Sequence, residues 1–132
     1  MKFYPFFLYV TLSFIIFSAS LVSAQSTENL PATKIVVQNL YYPKPGLETE
    51  VFQWRLHASA VRAKLQLPVG RVLQRIDTVD GQPYVIWECE YPNLDARAAD
   101  VEKIGESKEF EEVQQHMGTL LAKFERSVWY VH

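Results

Sequence analysis

An α+β fold follows from three features of the sequence: short segments rich in β-branched and aromatic residues, amphipathic stretches with helical spacing between them, and an Asp-Gly turn joining two of the former. In order they read β-α-β-β-α-β, a four-stranded antiparallel sheet with helices on one face.

The chain opens Met1-Lys2-Phe3-Tyr4-Pro5, followed by an uncharged apolar run from Phe6 to Val22 and then Ser23-Ala24-Gln25. One cation, an apolar stretch and small residues before the cut describe a cleavable export signal, residues 1–24, with cleavage expected after Ala24 and a periplasmic or secreted destination. The competing reading is a retained anchor, because roughly 17 apolar residues approach the ~20 that cross a bilayer. Removing 24 residues from 132 leaves 108, one domain's worth, able to bury about two-thirds of its unfolded surface. Residues 25–33 are polar around Pro31 and are read as a flexible lead-in to a domain over 34–132.

Lys34 to Tyr42 is the first strand and stops at the turn signal Pro43-Lys44-Pro45-Gly46. From Leu47 to Leu65, Val51, Trp54, Ala58, Val61 and Leu65 recur at steps of three and four, with Glu48, Glu50, Arg55, Arg62 and Lys64 falling elsewhere. That is an amphipathic helix with its arginines in water. Arg71 to Asp77 and Tyr84 to Tyr91 flank Asp80-Gly81, a hairpin whose two-residue turn sets Gln74 opposite Trp87 and Val72 opposite Cys89. Asn93 or Asp95 caps a short helix to Ile104, Gly105 breaks it, and Ser107 caps a second piece with the stripe Phe110, Val113, Met117, Leu120 and Phe124. Ser127 to His132 is the last strand.

Two right-handed βαβ crossovers in this order make a ferredoxin-like sandwich and leave one sheet face without helices. That face is expected to carry Arg71, Leu73 and Arg75 opposite Glu90, Glu88 and Ile86. A face half apolar and half charged is suited to a second copy, two sheets closing into a C2 barrel.

The composition narrows the partners. Without the leader's Lys2, 12 basic residues stand against 15 acidic, formally −3, with no basic run, so nucleic acid and, after leader removal, membrane surfaces are not expected partners. The single cysteine, Cys89, allows no intrachain disulfide and is expected in the core. His57, His116 and His132 lack zinc-ligand spacing, so no metal is expected. Phosphate loops, nucleophile elbows and zincin motifs are missing too. Trp54, Trp87 and Trp129 are read as core.

Three stretches carry a resemblance: Tyr41-Tyr42-Pro43-Lys44-Pro45-Gly46, then Val85 to Tyr91 with Arg97 soon after, then Ser107-Lys108-Glu109-Phe110. With the element order, they make the domain resemble the dimeric α/β-barrel group, most closely its NIPSNAP-like branch. The resemblance implies a homodimer and no fixed chemistry, since relatives include cofactor-independent and haem-degrading monooxygenases. Asn39 matches the haem degraders' first-strand asparagine, but Gln114 falls near their histidine and no tryptophan lies between Asn93 and Phe124. No cofactor is therefore expected.

Three functions stay open: an exported dimer binding a small apolar or aromatic molecule between the first helix and the open sheet face; a cofactor-independent oxygenase acting on an aromatic substrate; and a protein-docking module. The residues singled out are Asn39, Tyr41, His57, Glu88 and Arg97. Glu88 and Glu90 share a strand face, where like charges favour a raised pKa and the nearby arginines oppose it.

Overall fold

A computed structural model describes residues 33–132, so the export signal and residues 25–32 of the lead-in lie outside the described residues. The elements are β1 (Ile35–Pro43), α1 (Glu48–Lys64), β2 (Arg71–Gln74), β3 (Val85–Tyr91), α2 (Leu94–Gly105), α3 (Lys108–Leu120) and β4 (Leu121–Tyr130). The sheet is antiparallel with order β2-β3-β1-β4, the ferredoxin-like arrangement expected.

Alternation decides which face the helices cover. Ile35, Val37, Asn39 and Tyr41 of β1 and Val85, Trp87, Cys89 and Tyr91 of β3 are buried. With Val51 of α1 and Met117 and Leu120 of α3, the apolar members of this set form the main core. A second cluster joins Ala58 and Val61 of α1 to Ile104, Phe110 and Val113. Asn93 caps α2 by accepting from the Ala96 N–H at 2.8 Å, and Ser107 caps α3 by accepting from Phe110 N–H at 3.2 Å. Both caps stand where the sequence places them. Among the described residues no helix is long and apolar enough to cross a membrane.

The structure corrects four expectations. First, the hairpin slips by two residues: Arg71 pairs with Glu88, Val72 with Trp87, Leu73 with Ile86 and Gln74 with Val85. Asp80-Gly81 does centre a turn, closed by the Gln82 N–H on the Val79 carbonyl at 3.1 Å, with Gly81 at φ +75°. The ladder does not reach that turn, because Pro83 has no N–H to give it. Ile76, Asp77 and Thr78 loop out, and Ile76 is fully exposed.

Second, β4 starts at Leu121 directly from the end of α3, so Phe124 belongs to a strand, paired with Tyr41. Third, Trp129 is 57% exposed on the open face, its indole N–H donating to the Gln38 side chain at 3.1 Å. Fourth, Arg55 and Arg62 are buried on α1, at 3% and 4% exposure. Val51, Arg55, Ala58 and Arg62 step by four, three and four, so they share one helix face as fully as the apolar series does.

Candidate functional site

The second arginine is neutralised on the spot. An Arg62 Nη donates to Asp100 Oδ1 at 2.6 Å and to the Tyr91 hydroxyl at 3.3 Å, and its Nε donates to the Pro68 carbonyl at 2.7 Å. Tyr91 donates to Asp100 Oδ2 at 2.7 Å. Burial, then this bond to the carboxylate, hold the Tyr91 hydroxyl firmly protonated. Both oxygens of Asp100 are thereby occupied.

Arg55 has no such partner. Its two Nη atoms donate to the hydroxyls of Tyr41 at 3.3 Å and Ser59 at 3.1 Å, and its buried Nε has no acceptor among the described residues. Desolvation lowers its proton affinity. Arg55 and Arg62 both lie over the Trp87 ring, 5.2 and 4.9 Å from its centroid. The indole is anchored by its N–H on the Val69 carbonyl at 2.7 Å, and a Cβ at Gly70 would come within 2.7 Å of that nitrogen.

These side chains line a cavity of about 310 Å³ between the sheet and the helices. Apolar walls come from Val113 and Met117 of α3, Ile104 of α2 and Phe124 of β4. Arg97 lines it from α2 and Arg126 from β4, where the Arg126 Nε donates to the Asn39 side-chain oxygen at 2.8 Å. The charged lining residues are four arginines and one aspartate.

Of the residues singled out from sequence, the structure brings Asn39, Tyr41 and Arg97 to this cavity and places His57 and Glu88 elsewhere. His57 is exposed on α1, edge-on to Trp54, whose ring also packs 4.2 Å from the His116 ring. Glu88 is on the open face, accepting from the Gln38 amide at 2.8 Å and from Arg71 Nε at 2.9 Å, and the Gln38 bond first, then Arg71, hold its carboxyl below the usual range. Glu90 pairs with Lys34 at 2.8 Å, so the two glutamates serve as ion-pair partners. A pocket between α1 and the open face is ruled out, because the helices lie against the other side. Sequence reasoning missed Arg55, Arg62, Asp100 and Arg126; for the first two the signal was the four-three-four spacing.

Cys89 is buried and its thiol pKa is raised by desolvation. Among the described residues no group of three or more His, Cys, Asp or Glu is placed to hold a metal.

An α+β protein with one helix-lined cavity and one bare sheet face is the class these features define. No protein-family model and no curated protein matches the chain. Solved structures do. A NIPSNAP family protein from Agrobacterium tumefaciens aligns with a TM-score of 0.60 at 20% identity, over 76% of this chain and 88% of its own. A dimeric ferredoxin-like protein of unknown function from Bacteroides fragilis gives 0.57 at 13% identity, over 74% and 96%. A mutant of SnoaB, a cofactor-independent oxygenase from Streptomyces nogalater, gives 0.56 at 14%, over 76% and 95%. The chain therefore has the ferredoxin-like fold that NIPSNAP structures share, as the sequence resemblance implied.

Proposed function

We propose that this chain is an exported, homodimeric protein of the NIPSNAP-like branch that holds a small apolar or aromatic molecule in the helix-side cavity. The observation that carries the reading is the cavity: about 310 Å³, at the lower end of the ~300–1,000 Å³ of small-molecule sites, with apolar walls and a few inward polar groups. Dimerisation is supported by the bare sheet face, where Leu73 and Trp129 are exposed, and by neighbours described as dimeric. Export rests on the leader sequence.

Native mass spectrometry of the protein purified from its host tests all three parts. The expected species is a dimer of chains cut after Ala24 that retains a small molecule. A bare, uncut monomer would sink the proposal.

A second reading, a cofactor-independent oxygenase, is favoured by the fold shared with SnoaB and by the buried Asn39 amide on the cavity wall. It requires oxygen uptake with an aromatic substrate and loss of that uptake in Asn39→Ala. Since His57 lies outside the cavity, His57→Ala should leave uptake unchanged.

A further inference from the structure

We propose that the cavity's ligand is a monocarboxylate, an apolar or aromatic body whose single carboxylate seats on Arg55. The inference rests on the small-molecule reading above and adds the ligand's charge and its anchor.

The contrast between two arginines of one helix face carries it. Arg62 has a carboxylate at 2.6 Å, whereas Arg55, 3% exposed, has only neutral hydroxyl acceptors and an Nε–H with none among the described residues. A guanidinium keeps its proton even when buried, so its charge has to be met by an anion or be left uncompensated at considerable cost. Asp100 does not meet it, since it is ion-paired with Arg62 and lies beyond ion-pair distance of Arg55.

The rest of the cavity points the same way. Neither Arg97 nor Arg126 has a carboxylate within ion-pair distance among the described residues, so the lining has three positive charges in excess. Such a surplus draws an anion in. The planar fork of Arg55 matches two carboxylate oxygens, while the apolar walls of Val113, Met117 and Phe124 suit a hydrocarbon body. A neutral ligand would fill the same volume and leave the Arg55 charge unmet.

The test is calorimetric titration of the dimer at pH 7 with naphthoate and octanoate, each beside its uncharged amide, which has the same body. At least one acid should bind about tenfold or more tighter than its amide, a difference of ~1.4 kcal/mol. The preference should vanish in Arg55→Met while amide affinity stays within about twofold. Which acid binds decides between aromatic and aliphatic bodies.

Equal binding of acid and amide by the wild-type protein overturns the proposal and leaves the small-molecule reading standing. Binding of none of the four overturns both. Because that comparison needs no variant, poor folding of Arg55→Met leaves it decisive. An acid preference that survives in a folded Arg55→Met protein also overturns it.

Discussion

The helix-covered side of the sheet hides its charges, whereas the opposite side shows its apolar groups. On the covered side Arg55, Arg62 and Asp100 are almost wholly out of water. On the bare side Leu73 and Trp129 stand exposed among ion pairs such as Lys34–Glu90. Each side thus holds what the other would be expected to hold, and the cause differs. Buried charge needs fixed partners, and the covered side supplies most of them from distant elements. Exposed apolar surface needs a cover, and among the described residues nothing covers the bare side.

The sharpest way to break this contrast is to remove a fixed partner. Asp100→Ala leaves Arg62 buried without its carboxylate and should cost about 3–5 kcal/mol, read by urea denaturation. A loss under about 1 kcal/mol would mean that the covered side is wetter than described. Next is Gly70→Ala, which sets a Cβ 2.5 Å from the Glu88 carbonyl and 2.7 Å from the Trp87 nitrogen at φ +69°. It should cost ~2 kcal/mol or more and shift tryptophan fluorescence, because Trp87 has to move.

A gain is expected on the rim of the cavity. Gly118 sits within α3, where an added Cβ meets nothing within 4 Å, so Gly118→Ala should raise stability by about 0.5–1 kcal/mol. A lower melting temperature would show that this wall is tighter than it is drawn.

The bare side should give the smallest effect. Arg71 is 67% exposed against 16% for Glu88, so Arg71→Ala should cost only ~0–1 kcal/mol, solvent screening included. Its signature lies in acid. The Gln38 amide first, then Arg71, depress the Glu88 pKa. The stability this gives is present above the unfolded value of ~4.3 and is lost as pH falls through the lower folded one. The acid limb of a stability–pH curve should therefore be shallower in Arg71→Ala and shallower still in Gln38→Leu, while both match the wild type's slope near pH 7.

How far the sequence could be read follows the same division. The hairpin's two faces were legible because alternation fixes them, and its slip by two, an even number, kept Arg71 to Gln74 on their expected sides. The pairing itself was not legible, since Pro83 uncouples the Asp80-Gly81 turn from the ladder. Sorting α1 by polarity sent Arg55 and Arg62 to water. The burial of Arg62 depends on Tyr91 and Asp100, 29 and 38 residues away, which no local window contains. Leu121 to Phe124 continued a helical stripe by spacing, and pairing with β1 overrode that preference.

The joint between α3 and β4 has no loop: Leu120 ends the helix and Leu121 begins the strand. Lys44 clamps this elbow, its backbone N–H on the Leu120 carbonyl at 2.9 Å and its Nζ on the Thr119 carbonyl at 2.8 Å. Met117 and Gly118 before the elbow, and Leu121 and Phe124 after it, all bound the same enclosure. Rocking the helix outward must therefore drag the sheet's edge with it, so helix displacement and edge-strand fraying become one motion that amide exchange along β4 would record.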